Sequence, residues 1–210
     1  MKTPYNHADK ALKKLNDSIE REFQNFSMTV GFDELNYPEV QKQVGALYTR
    51  IDSLVRREYR KLAKKVYEET EDEIGVQHTE FASGAFIVAL LKSFHPVTKY
   101  VYSHEWIRKR DRLVESLMAS NGNQEMRGVL QRALNLMTGM VRQYADNVTD
   151  EARKTVFRVA GIEDVTWITQ RDRVVCAVCA ERDGKQYKLS EVPEKHHKCR
   201  CYLIPARSAE

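Results

Sequence analysis

The sequence predicts an α+β protein in which a mostly helical body precedes a small C-terminal β unit. Over the first three quarters of the chain, apolar residues recur at intervals of three and four, which is the period of amphipathic helices. After Gly161 the pattern changes to short β-branched and aromatic runs separated by turn residues. All four cysteines of the 210-residue chain also lie in this last part.

Two long amphipathic helices are predicted first, over about residues 5–26 and 38–71. Pro38 lies in the first turn of the second helix, where its missing backbone N–H costs little. Each helix carries one apolar stripe, which predicts one buried face. The first stripe comprises Ala8, Leu12, Leu15, Ile19 and Phe23. The second comprises Val40, Val44, Leu47, Ile51, Leu54, Val55, Leu62 and Val66.

Two shorter helices are expected next. A short apolar helix over about residues 85–94 should end at Pro96, because proline cannot continue a helix. An extended segment at residues 100–102 then leads into a helix over about residues 103–119, which Asn121 and Gly122 close.

The last part of the body is predicted to contain two separate helices. The first carries a stripe of apolar residues. A cap signal at Thr149 or Asp150 predicts that a second helix begins there and ends at Gly161. The stripe comprises Met126, Leu130, Leu134, Met137 and Val141.

The segment from about residue 161 to residue 205 is predicted to be a β-hairpin unit. Residues 165–169 form a β-branched and aromatic run, and residues 201–205 form another short extended run. Between them, Asp183 and Gly184 form a dipeptide typical of hairpin turns.

Metal-ligand spacing is the strongest functional signal in this unit. Cys176 and Cys179 form a C-x-x-C pair, which lets two thiolates occupy adjacent corners of a tetrahedron. His196 and Cys199 repeat this spacing about twenty residues later, and Cys201 follows. Two such pairs separated by a predicted hairpin are typical of a structural zinc site. We therefore predict a small C-terminal β-hairpin unit that is stabilised by Zn²⁺.

The segment offers more ligands than a structural zinc ion takes. Such a site has four ligands, whereas six cysteines and histidines lie here, including His197 beside His196. The first three cysteines belong to every predicted set. His196 and Cys201 compete for the fourth position.

Catalytic uses of the cluster fit the sequence less well, so the chain is predicted not to be an enzyme. A redox C-x-x-C is expected beside a βαβ pattern, which is not found here. A catalytic zinc ion needs an open position and a nearby base. The stretch HEWIR at His104 lacks the second histidine of a zinc-protease helix.

A basic stripe lies on the predicted second helix, opposite its apolar face. Such a stripe is either a solvated surface or a contact for phosphates or for an acidic partner. The stripe comprises Arg56, Arg57, Arg60, Lys61, Lys64 and Lys65. A second basic cluster, open to the same interpretations, comprises Arg108, Lys109, Arg110 and Arg112.

Composition limits the environments to consider. The formal net charge is +4, which permits contact with nucleic acid without requiring it. No apolar run approaches the roughly 18 residues of a membrane span, and the N-terminal residues lack the apolar region of a secretory signal. We therefore expect a protein of the cytosol with reduced thiols and no membrane contact.

The second half of the chain also resembles a known protein family. The runs WITQRDRVVCAVCAERDGKQYKL and VPEKHHKCRCYLIP resemble the C-terminal signature of phage Mu F-like minor head proteins, the head morphogenesis family. The resemblance covers about residues 96–205, and His197 replaces the proline expected after the signature histidine. The matching residues are Trp167, Asp172, Cys176, Cys179, Gly184, Pro193, His196, Cys199, Arg200, Cys201 and Pro205.

This resemblance implies a function in assembly and a division of the chain. Residues 1–95 would form an N-terminal helical region, and residues 96–210 the head morphogenesis domain. The expected function is that of a minor structural protein of a tailed-phage head, packaged in the virion and influencing the exit of DNA. The implied partners are the portal protein, capsid or scaffold proteins, and packaged DNA without sequence preference. The implied location is the head interior near the portal, with host cytoplasm during assembly.

A zinc-ribbon regulator that binds nucleic acid is the alternative. The paired ligands are compatible with it. Few aromatic residues lie among the basic residues of the β unit, which weakens base stacking as its binding mode.

Overall fold

The computed structural model describes residues 3–30, 36–95, 100–170, 175–196 and 199–206. Its helices are α1 (Asn6–Thr29), α2 (Tyr37–Ile74), α3 (Ser83–Lys92), α4 (Tyr102–Met118), α5 (Asn123–Val159) and α6 (Ala177–Arg182). Its strands are β1 (Phe94–His95), β2 (Tyr100–Val101), β3 (Asp164–Ile168), β4 (Gln186–Lys188) and β5 (Tyr202–Pro205). The predicted α+β class, with long helices before a small β unit, is confirmed.

The helical body is built on α1, α2 and α5, which pack on one another, while α3 and α4 pack against α2. The predicted apolar stripes face this core. Every stripe residue is buried except Leu54 and Leu134, which are partly buried at its edge. Residues from both sides of the predicted division after residue 95 contribute to this core. Among the described residues, no helix is both long enough and apolar enough to cross a membrane.

Helix α2 begins within one residue of its predicted start but ends at Ile74, three residues beyond the predicted end at about residue 71. The side chain of Asn36 accepts a hydrogen bond of 3.0 Å from the backbone N–H of Glu39, and Pro38 lies in the first turn, as predicted. Gly75 ends the helix with φ at 70°, a left-handed conformation that costs glycine little.

Helix α5 corrects the prediction of two helices separated by a cap at Thr149 or Asp150. It continues through both residues to Val159. Thr149 is fully buried and donates its hydroxyl to the carbonyl of Ala145, so its side chain serves no cap. Residues 143–149 are all buried, and this burial on every side of the helix outweighs the local cap signal. The predicted end near Gly161 is confirmed, with φ at 69°.

The segment between α3 and α4 forms a small two-stranded ladder. Strand β1 pairs antiparallel with β2, with Phe94 opposite Val101. The predicted extended segment is thus confirmed at residues 100–101, although Tyr102 already belongs to α4. Pro96, predicted to end the preceding helix, lies outside the described residues.

The C-terminal unit is a three-stranded antiparallel sheet with β3 at its centre, between β4 and β5. It is not the simple hairpin predicted, because α6 lies between β3 and β4 in the chain. Gly184 does adopt the left-handed conformation of a turn residue, with φ at 77°. That turn joins α6 to β4. The backbone N–H of Gly184 donates a hydrogen bond of 2.8 Å to the carbonyl of Trp167 at the centre of the sheet.

A second, smaller core lies between this sheet and the end of α5. Trp167 is fully buried at its centre, and the guanidinium of Arg182 lies 5.2 Å from the centre of its ring. The core comprises Phe157, Val165, Trp167, Cys179, Cys199, Cys201 and Leu203. Three of its seven members are therefore cysteines.

Candidate metal centre

Helix α6 brings the first two cysteines together. Cys176 is its N-cap residue, and its sulfur accepts the backbone N–H of Cys179 at 3.4 Å. A cysteine in this position uses its sulfur as serine or aspartate uses oxygen, so both sulfurs lie at the first turn of the helix. The C-x-x-C thus opens a helix, as a redox pair would, but the adjacent sheet is antiparallel.

The other predicted ligands come from the segment before β5. His196 and Cys199 are held close by a hydrogen bond of 3.1 Å, which the backbone N–H of Cys199 donates to the carbonyl of His196. Cys201 lies directly before β5. The second histidine considered in the sequence, His197, lies outside the described residues, as does Asp172 of the family signature.

Five side chains converge at one place, as the spacing predicted. The Nε2 atom of His196 lies 3.3 Å from the sulfur of Cys176 and 3.1 Å from that of Cys179. The sulfur of Cys179 lies 3.6 Å from that of Cys199. Cys179 also belongs to a second close group with Cys199 and Cys201.

These separations are compatible with one tetrahedral ion. With Zn–S bonds of about 2.3 Å, two sulfur ligands lie roughly 3.7 Å apart, and a sulfur and a nitrogen lie slightly closer. The four cysteines are free thiols, so the cluster is not a pair of disulfides. The cluster of four cysteines and His196 could therefore hold a metal ion.

The thiols influence one another's ionisation. A hydrogen bond from Cys201, outweighing burial, lowers the pKa of Cys199 to about 5. That hydrogen bond and burial together raise the pKa of Cys201. Burial is the main cause that raises the pKa of Cys179 to about 12, whereas the backbone N–H of Cys179 lowers the pKa of Cys176. A group of thiols this close cannot all ionise without a cation, and thiolates are the form that binds metals.

The candidate centre is joined to the helical body by a partly buried polar network. The hydroxyl of Tyr5 lies 2.7 Å from a carboxylate oxygen of Asp150 and 2.8 Å from the carbonyl of Cys201. The ammonium of Lys195 donates to both Tyr5 and Asp150, at 2.8 Å and 2.6 Å. The guanidinium of Arg200 donates a hydrogen bond of 2.7 Å to the carboxylate of Asp9 in α1.

A second connection runs through Arg153 of α5. Its guanidinium is buried and donates to the carboxylate of Glu73 in α2 and to the carbonyl of Leu203 in β5. The sheet is therefore bonded to two helices through one side chain.

Sequence reasoning missed this network. Tyr5, Asp150 and Lys195 stand 45 to 190 positions apart in the chain. No local spacing relates these residues, and each looks like an ordinary helix or loop residue. Only the matched position of Arg200 in the family signature pointed to the region.

The basic stripe on α2 is largely paired within its own helix. Arg56 binds Asp52 at 2.6 Å, and Lys61 binds Glu58 at 3.0 Å. The other pairs are Arg57 with Glu58, Lys64 with Glu68, and Lys65 with Glu69. Of the six residues, only Arg60 has no ion pair with the described residues.

The second basic cluster, on α4, is similar. Arg108 and Lys109 both bind Glu105, and Arg110 binds Asp111. The acidic partners of both clusters lie within four residues of the basic ones in the sequence. They offset part of the positive charge of each cluster.

In comparisons with protein-family models, with curated proteins and with solved structures, nothing matches this chain.

Proposed function

We propose that the chain is a minor structural protein of a tailed-phage head, which associates with the portal and acts in head assembly. The observation that carries the proposal is that the described residues of the family signature lie together in one compact unit. Trp167 fills the centre of that unit, Gly184 forms its turn, and Pro205 lies opposite Val165 in the sheet. Arg200 connects it to α1.

These positions support the interpretation that the signature residues maintain the fold of this unit. Trp167 packs in the core, Gly184 forms a turn, and the cysteines lie within a cluster of candidate ligands. A rigid module on a long helical body suits assembly on the portal, with capsid or scaffold proteins and packaged DNA as further partners. The protein would act in the host cytoplasm during assembly and then reside in the virion, inside the head near the portal, where it would influence the exit of DNA.

The test is quantitative mass spectrometry of purified virions and of portal complexes isolated from infected cells. We expect the chain at low copy number in both, and we expect Cys179→Ser to reduce its incorporation. A control variant at the exposed Val178 of α6, Val178→Ser, should be incorporated normally. Absence of the wild-type chain from virions, proheads and portal complexes would contradict the proposal.

For the metal, we propose one structural Zn²⁺ per chain, bound by Cys176, Cys179, His196 and Cys199. The short contacts of His196 Nε2 to two sulfurs support histidine as the fourth ligand. Cys201 then donates its S–H to Cys199. Four protein ligands complete the tetrahedron and leave no position for water, which supports a structural rather than a catalytic role.

The ligand set can be tested by substitution, using elemental analysis of protein purified without chelator. His196→Ala should lower zinc content from about one per chain and raise its loss to a competing chelator by about tenfold or more. Cys201→Ser should retain zinc. If Cys201→Ser loses the metal while His196→Ala keeps it, all four ligands are cysteines. If wild-type protein is folded and stable with no metal at all, the zinc proposal is wrong.

A further inference from the structure

A cavity beside the candidate metal centre has a composition that neither the fold nor metal binding explains. Its volume is about 380 Å³, which is within the usual range for small-ligand sites. It lies between α5, the end of α3 and the segment of residues 192–196. His196 and Cys199 line one side, so a metal ion that fixes these residues would also fix a wall of the cavity.

Most charged groups of the cavity already have partners. Asp150 is bound by Lys195 and Tyr5, and Glu151 is bound by Lys154 at 2.8 Å. Glu194 also lines the cavity, but it is exposed to solvent. These contacts leave one buried carboxylate to be explained.

That carboxylate belongs to Asp146. The residue exposes only 8% of its surface, yet it makes no hydrogen bond or ion pair with the described residues. The nearby guanidinium groups of Arg142 and Arg200 both bind Asp9 instead. Burial, followed by repulsion from Asp150, raises the pKa of Asp146 to about 7. A buried carboxylate without a partner reduces stability and is typical of a site that a ligand completes.

The apolar lining indicates the shape of the missing partner. Leu90, Phe94, Val192 and Pro193 line the cavity, and Phe94 is 62% exposed. A long side chain with an aliphatic stem and a cationic end would place its stem against these residues and its charge at Asp146. Guanidinium is more weakly hydrated than ammonium, forms paired hydrogen bonds to a carboxylate and stacks on aromatic rings.

We propose that this cavity receives an arginine side chain of a partner polypeptide, whose guanidinium binds the carboxylate of Asp146. The metal-bound segment forms one wall, so the cavity and the metal centre work as one docking site. The inference does not depend on the phage-head assignment, because it rests on the cavity and on the metal centre proposed beside it.

The experiment uses the full-length, metal-containing protein and a small probe, Nα-acetyl-arginine amide. Binding is followed by NMR through the side-chain amides of Gln143 and Asn147, which line the cavity. We expect saturable shifts with a Kd on the order of 1–10 mM, as is reasonable for one side chain. The neutral analogue Nα-acetyl-citrulline amide has nearly the same shape and should bind at least about tenfold more weakly.

Two variants complete the test. Asp146→Asn keeps the shape of the side chain and should weaken probe binding by about tenfold or more. Asp17→Asn removes a carboxylate from the exposed side of α1 and should bind the probe like wild type. Equal affinity for the citrulline analogue, or unchanged affinity in Asp146→Asn, would overturn the proposal. The citrulline comparison uses wild-type protein alone, so it tests the proposal even if a variant folds poorly.

Discussion

The helical body and the C-terminal unit are stabilised by different chemistry. The body has a large core of aliphatic and aromatic side chains from α1 to α5, and it needs nothing else to bury them. The core of the unit has seven buried residues, of which three are cysteines. A sheet with strands of three to five residues cannot bury much apolar area. From this comparison we expect that the body folds by burial alone, whereas the unit depends on the metal ion proposed above.

The junction between the two regions is also unlike either core. It is polar and largely buried, with Tyr5, Asp150 and Lys195 in contact and Arg153 bonded to α2 and β5. Buried polar groups are costly unless they are paired, and they fix one geometry when they are. The unit is therefore attached to the body in a defined orientation.

The largest expected effect is that of removing the metal. Cys179→Ser removes the ligand that both close groups share, so the unit should lose the free energy of metal binding. Hydrogen exchange should show opening of residues 162–206 that is easier by about 3 kcal/mol or more, since structural zinc in isolated peptides contributes about 10–16 kcal/mol. Amide protection in the buried part of α2 should stay close to that of wild type.

Val178→Ser is the matched control, because Val178 lies in the same helix and is 52% exposed. Its exchange pattern should equal that of wild type. If Cys179→Ser leaves the unit as protected as before, the contrast between the two regions is wrong.

Removing one hydrogen bond from the junction should have an intermediate effect on stability. Tyr5→Phe removes a buried hydroxyl and leaves the carbonyl of Cys201 without that donor. The free energy of unfolding should fall by about 1–3 kcal/mol, as measured by urea denaturation. Zinc content should not change, because the ligands are untouched. Tyr37→Phe is the control, since Tyr37 is half exposed at the start of α2. Equal effects of the two substitutions would argue against a specific junction.

A third substitution should act in the opposite direction. The pKa of Asp146 is about 7 in the folded protein against an ordinary 3.8, so the folded state binds the proton more tightly. Stability therefore falls as the pH rises from about 4 to about 7. Asp146→Asn cannot ionise and should gain stability relative to wild type, by up to about 2 kcal/mol more at pH 8 than at pH 5.5.

Urea denaturation of both proteins at the two pH values measures this difference. Asp17→Asn, on the exposed side of α1, should show no such dependence on pH. A variant that is equally destabilised at both values would show that the carboxylate has a stabilising partner after all.

A feature could be predicted from the sequence when the residues that determine it lie close together in the chain. The apolar stripe of α1 and the start of α2 follow from residues within a few positions, and these predictions are confirmed. The convergence of the candidate metal ligands was also predicted, because Cys176 and Cys179 are neighbours on one turn. The cap at Thr149 was wrong, since tertiary burial decides that position. The partners of Asp150 come from both ends of the chain, and no local pattern relates them.

The smallest expected effect on stability is that of the basic stripe of α2. This stripe is a charged surface, in contrast to the two buried cores. Replacing Arg57, Arg60, Lys61 and Lys64 with Gln retains helix propensity and removes four charges. Ion pairs between exposed side chains contribute little, so the free energy of unfolding should change by less than about 1 kcal/mol in total. Because Glu58 and Glu68 pair with three of these four residues and offset two of the four charges, we expect duplex DNA affinity to stay within about twofold of wild type at moderate salt. A lower affinity for arbitrary duplexes, with a salt dependence reduced by nearly one unit per lost contact, would instead identify phosphate binding and favour the zinc-ribbon alternative. Loss of portal co-purification without a change in DNA binding would identify the stripe as a contact with an acidic partner.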